Sequence, residues 1–164
     1  MTTATKSSLV APIVWTFLFN DNLALRALEG LTQEELWRAP TDRNNGLLWV
    51  TGHLVQTRAI ILRLLGEPVE TGWGDLFERG AKVSDARNYP ERDEVERVMR
   101  DVASRLQTKL ASLGNEYLAG PATMQLPNAT TMADQLAFFA LHDSYHVGQM
   151  AYIRKSLGYA GIAG

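Results

Sequence analysis

The chain contains no cysteine among its 164 residues. That absence excludes disulfides, thiolate zinc sites, iron–sulfur clusters and cysteine nucleophiles, and it leaves imidazole, carboxylate, hydroxyl and amide groups for any chemistry. A metal here has to be held by nitrogen and oxygen. Long apolar runs are missing too: no stretch approaches the roughly 18 consecutive apolar residues of a membrane span, and the polar start Met1–Ser8 (MTTATKSS) has no apolar segment behind a basic one. The expectation is a soluble, cytoplasmic protein with no membrane partner. Charge of one sign is also lacking. Lys and Arg number 16 against 18 Asp and Glu, a net charge of −2, so no basic field awaits a phosphate backbone or anionic lipid, and nucleic acid is not an expected partner. A chain of this length supports one core without covalent staples. We expect a single domain over 1–164, with 1–8 as a flexible tail.

Glycine and proline cluster at a few places and divide what remains into helical stretches. From about Leu9 to Glu29, Val10, Val14, Phe17, Leu18, Leu25 and Leu28 follow the three-and-four spacing of one helix face, and Gly30 stops it. The segment LTQEELWRAPTDRNNG carries Pro40 and Asn44-Asn45-Gly46 and reads as a connection with one helical turn at Gln33–Trp37. A second long helix runs from Leu47 to Leu65, closed by Gly66 with Pro68 beyond it. Residues 66–90, with Gly72, Gly74 and Gly80, show little periodicity; a connection this long suggests a role of its own. The third helix is expected over Arg92–Tyr117, with Val95, Val98, Val102, Leu106, Leu110 and Leu113 on one stripe. After Gly120-Pro121 and Pro127, Thr131 followed by Asp134 resembles a capping box, opening a fourth helix to about Leu157 with Gly158 as its stop. No segment alternates with a period of two. The expected fold is therefore all-α, a four-helix bundle with a long connection between helices 2 and 3.

Histidine is scarce, with three in the chain. His142 and His146 are four apart on the fourth helix, which stacks both imidazoles on one face. That face continues through Phe139, Met150, Ile153 and Leu157, so it must point inward. His53 lies on the second helix in line with Val50, Thr57, Ile61 and Leu64, again an inward stripe. Three buried imidazoles need partners for six ring nitrogens, and each left unsatisfied costs about 1–3 kcal/mol. Two readings meet that need: a metal-free, hydrogen-bonded core, or one divalent transition metal. Three neutral imidazoles suit zinc, nickel, iron or copper, and we expect zinc, nickel or iron. Three protein ligands leave a coordination position open for water or substrate.

Several neighbours qualify as second-sphere or substrate-binding groups. Asp21 and Asn22 interrupt the apolar stripe of the first helix, and Gln149 lies one turn beyond His146. Tyr145, between the two histidines, qualifies on the same terms. Asp143 points about 100° away from His142 and is not expected as a ligand. Trp73 and Phe77 stand in the long connection, where they either pin it to the bundle or line a pocket. No catalytic residue can be named from these patterns.

The phrases NNGLLWVTGHLVQTRAIILRLLG, on the second helix, and HDSYHVGQMAYIRKSLG, on the fourth, resemble the DinB-like (YfiT-like) metalloenzyme family, whose pattern is a helix-2 histidine plus HxxxHxGQ. The first-helix phrase FNDNLALRALEGLTQEEL is similar to the same family's opening. The resemblance implies a four-helix bundle, usually dimeric, with a divalent metal on His53, His142 and His146. It further implies a small-molecule substrate and, in some relatives, a low-molecular-weight thiol cofactor activated as thiolate, as in thiol-dependent transferases and isomerases. The rival expectation is a non-catalytic, stress-associated or ligand-binding bundle whose metal is structural. If the bundle pairs as a homodimer, apolar faces on the first two helices are expected to form an isologous interface.

Overall fold

The computed structural model describes residues 9–81 and 88–163, so the expected tail at 1–8 and part of the 66–90 connection lie outside the described residues. Four long helices and two short ones follow in order: α1 (Ala11–Leu28), α2 (Gln33–Trp37), α3 (Leu47–Leu64), α4 (Arg92–Ala111), α5 (Asn115–Ala119) and α6 (Met132–Ser156). Among the described residues there is no β-strand, only an isolated antiparallel bridge between Pro121 and Thr131. Among the described residues no helix is long and apolar enough to cross a membrane.

The helix limits follow from local chemistry. Pro12 stands in the first turn of α1, where its missing N–H costs nothing. Gly30 (φ +75°) and Gly158 (φ +90°) take the left-handed conformation that ends α1 and α6. The Thr131–Asp134 pair forms the expected capping box of α6. A second box, Thr32–Glu35, opens α2. The third predicted helix is shorter than its apolar stripe suggested. It ends at Ala111, the Ser112 hydroxyl donates to the Lys109 carbonyl (2.7 Å), and the chain turns through an extended Gly114 (ψ 160°) into α5. The turn lets Leu118 bury completely, a gain of about 2 kcal/mol for a leucine.

The four long helices pack in the cyclic order α1–α6–α3–α4, with α2 against α3 and α5 against α6. This order sets the histidine-bearing helices α3 and α6 side by side. It also explains why α3 is apolar nearly all round. Leu47, Leu48, Leu54, Val55, Ile61 and Leu62 are all buried, and Ile60 is its one exposed large apolar residue. Most of the apolar surface of α3 is spent on the bundle's own core. Further exposed aromatic and aliphatic side chains lie on α1 (Trp15, Leu18, Phe19) and α6 (Leu141, Tyr145, Tyr152).

Because the α6 box satisfies backbone donors at both Thr131 and Asp134, Thr131→Ala is expected to lower stability by about 1 kcal/mol. Urea denaturation measures this, and an unchanged midpoint would show that the cap is dispensable.

Candidate metal centre

His53 comes from α3, and His142 and His146 from α6, one helical turn apart. The three imidazoles converge. Ring centroids are 4.4 Å apart for His142 and His146, 4.7 Å for His53 and His146, and 5.6 Å for His53 and His142. One potential ligand nitrogen from each lies within 4.8 Å of the other two.

Two of the rings are oriented by hydrogen bonds at Nδ1, which place the ring proton there and not on Nε2. His53 Nδ1 is 2.7 Å from the Phe77 carbonyl. A carbonyl only accepts, so Nδ1 carries the proton and Nε2 keeps its lone pair. His146 Nδ1 is 2.7 Å from Gln149 Oε1. The Gln149 amide is fixed in turn, because its Nε2 donates to the Tyr145 hydroxyl (3.0 Å), so His146 also presents Nε2 inward. There it sits 3.1 Å from His142 Nε2. Two nitrogens bound at about 2.0–2.1 Å to one tetrahedral ion would stand roughly 3.3 Å apart, so the pair as built fits a shared metal. The donor set, neutral nitrogens with no thiolate, suits a borderline divalent ion.

Burial keeps His142 and His146 neutral. His142 is less basic than an ordinary histidine because it is removed from water and faces the His53 ring. His146 is lowered to about 4 by burial, with the Gln149 bond opposing and the His142 and His53 rings adding to the effect. Neither ring would need to lose a proton to receive a metal at neutral pH.

The long connection is part of this construction. Trp73 Nε1 donates to Glu94 on α4 (2.9 Å), Gln56 donates to the Gly74 carbonyl, and Trp73 meets the Phe77 ring edge-on. Phe77 is fully buried. Its ring lies directly on Gly52, where a Cβ would come within 2.5 Å of three ring carbons. Gly52 thus makes room for the residue whose carbonyl orients the next one, His53. On the other side of the imidazole, Trp49 stacks in parallel at 5.0 Å. A cleft of about 580 Å³ runs from His53 along Gln56, Thr57, Ile60 and Arg63, facing residues 68–79. A second hollow, about 660 Å³, is lined by Tyr145, Gln149 and Tyr152 with Arg43, Asn44 and Asn45.

The other residues singled out in the sequence fall in different places. Gln149 touches His146, and Tyr145, though exposed, meets the His146 ring edge-on at 5.2 Å and accepts from Gln149. Asn22 turns away: it is exposed, and its amide donates to the Leu18 carbonyl of its own helix. Asp21 is buried, but it pairs with Arg58 and accepts from Gln107 (2.6 Å) rather than from an imidazole. Burial raises its pKa, with Arg58 opposing. Asp143 points off the histidine face, as its 100° offset requires, and takes both Arg58 and Asn20 as partners. Sequence reasoning missed Arg58, Trp49 and the Phe77 carbonyl. Signals existed for two of them. Arg58 continues the inward stripe of Leu54, and Trp49 precedes His53 by one turn.

A helical bundle with three converging histidines on two neighbouring helices defines a class of candidate metal-binding bundles. Within it the chain belongs to the DinB superfamily, whose model matches residues 17–150. No curated protein matches the chain significantly. Among solved structures it is similar to a conserved protein from Enterococcus faecalis, at 13% identity and TM-score 0.75, covering 94% of this chain and 100% of that one. It is also similar to YfiT from Bacillus subtilis, at 15% identity and TM-score 0.66, covering 98% and 94%. YfiT is described as a probable metal-dependent hydrolase with an unusual four-helix bundle topology. At these identities the likeness is one of fold.

Two outcomes are expected. Gly52→Ala forces Phe77 off its seat and costs about 1–3 kcal/mol of stability, with the His53 ring resonances shifting in NMR; unchanged resonances would separate Phe77 from His53. Secondly, the unfolded chain protonates His146 near 6.5 and the folded chain only near 4. The stability this contributes is present above pH 6.5 and is lost as pH falls toward 4. Denaturation of the metal-free protein across that window, beside a flatter His146→Gln profile, tests the sign.

Proposed function

We propose that the chain holds one divalent transition metal, zinc, nickel or iron, on His53, His142 and His146, and acts with it on a small-molecule substrate. One observation carries this reading: the Phe77 carbonyl and the Gln149 amide fix two imidazoles by their Nδ1 hydrogens, so that their bare Nε2 atoms point into the cluster. His142 Nε2 lies 3.1 Å from His146 Nε2, a distance met by an N–H···N hydrogen bond in the metal-free chain and by a shared ion in the loaded one, and the two fixed Nδ1 hydrogens leave the nitrogens ready for the ion. When bound, such an ion supplies Lewis acidity, lowering the pKa of a coordinated thiol or water so that a nucleophile exists at neutral pH.

The chain's own residues supply the remainder. Gln149, backed by the Tyr145 hydroxyl, holds the His146 proton at Nδ1. Trp49 stacks on the His53 ring, and the buried Phe77 holds its Nδ1 proton through the backbone carbonyl. The cleft that starts at His53 is wide enough for a small molecule and mixes charged with apolar walls, including Arg63, Arg79, Ile60 and Val69. A cleft that reaches one of the three imidazoles supports an enzyme over a bundle with a closed structural metal. The reaction class we favour is a transfer onto or from a low-molecular-weight thiol. Hydrolysis is the variant in which water takes the thiol's place, in keeping with the description of YfiT. We further propose a single cytoplasmic domain. It would pair as a homodimer through the exposed α1 and α6 side chains, where Trp15 and Phe19 stack at 5.1 Å.

The test is elemental analysis of tag-free protein. Near one metal per chain is expected, lost in His142→Ala, and addition of a thiol to the cobalt-loaded protein is expected to produce a thiolate-to-metal charge-transfer band. No metal after incubation with zinc, nickel, iron or manganese would overturn the proposal, and metal without the thiol band would leave hydrolysis as the reading.

A further inference from the structure

Arg58 is 1% exposed, and it sits on α3 five residues after His53. Its guanidinium forks onto Asp143 of α6, Nε to Oδ1 at 2.8 Å and Nη2 to Oδ2 at 3.0 Å, while Nη1 meets Asp21 of α1. Asp143 immediately follows His142 and accepts a further bond from Asn20 of α1 (2.9 Å), whose amide also donates to Ser144. Gln107 of α4 closes the set on Asp21. One buried polar network thus ties all four long helices together at the level of the histidines.

A buried ion pair is a weak source of stability, because desolvation offsets its attraction; its best-attested use is to specify register. Register matters unusually here. The cluster is split between α3 and α6, a slip of one residue shifts a helix by about 1.5 Å, and a metal tolerates only about 0.2 Å in each ligand distance. Apolar side chains can repack after such a slip, whereas a bidentate fork cannot be satisfied in two registers. We infer that Arg58 is a positioning residue that, through Asp143, locks α3 to α6 in the one register where His53 meets His142 and His146. The inference rests on the proposed metal site.

The experiment compares competitive zinc affinity in the full-length native chain, Arg58→Lys, Arg58→Met and the core control Leu110→Ala, each with its metal-free melting curve. Arg58→Lys keeps the buried positive charge and loses the fork; it is expected to fold and to bind zinc about 10- to 100-fold more weakly, with an altered cobalt absorption spectrum. Leu110→Ala, on α4, is expected to lower the melting temperature with zinc affinity unchanged. Arg58→Met, where it folds, is expected to bind at least as weakly as Arg58→Lys. Zinc affinity of Arg58→Lys within twofold of native, or a loss matched by Leu110→Ala, would overturn the inference alone. A native chain that binds no metal would overturn it together with the proposed site.

Discussion

A guanidinium cannot shed its charge, so burying one obliges the fold around it to supply anions and hold them still. Arg58 imposes that obligation on this bundle. Burial opposes its charge, yet Asp143 and Asp21 hold it protonated beyond its ordinary value. These carboxylates come from α6 and α1, and Asn20 and Gln107 complete their coordination from α1 and α4. Hydrophobic burial brings four amphipathic helices together but is indifferent to small sliding motions. The directional network is not. The histidine cluster occupies the α3–α6 seam beside it and inherits its geometry.

The connection after α3 has a similar double character. Its aromatic residues are buried, as pinning residues should be, but the same act of pinning delivers a backbone carbonyl to His53. Trp73 ties to Glu94, Phe77 settles on the bare backbone of Gly52, and the carbonyl that results is 2.7 Å from the imidazole. The connection also forms the far wall of the cleft that begins at His53. A segment with little helical periodicity therefore orients one imidazole and shapes the approach to it.

Polarity around the cluster is arranged in layers. The innermost layer is three imidazoles, of which His142 and His146 are kept neutral by burial. Beyond it come neutral acceptors, a peptide carbonyl and an amide, which fix tautomers without adding charge. Arg58 and the two aspartates that flank it stand one step further out. A cation held by these nitrogens would be bound by neutral donors, which would leave its own positive charge largely undiminished for polarising whatever else it binds.

The helices, their stops and the inward placement of all three histidines were legible in the sequence. They depend on spacing of three and four, on Gly30, Gly66 and Gly158, and on the Thr131–Asp134 box, all of which are local. Gln149 was legible for the same reason, being one turn from His146. The break between α4 and α5 was not, because the apolar stripe runs through it and only the tertiary burial of Leu118 shows why the chain turns. Nor was the difference between Asp21 and Asn22: adjacent polar residues look alike until the position of α3 buries one against Arg58 and leaves the other in water. The Phe77 carbonyl is beyond any sequence pattern, since every residue carries one. By itself the sequence determined which residues share a helix face; which faces meet, and at what register, was decided only by packing, because side chains far apart in the chain acquire a distance between them only when the core closes.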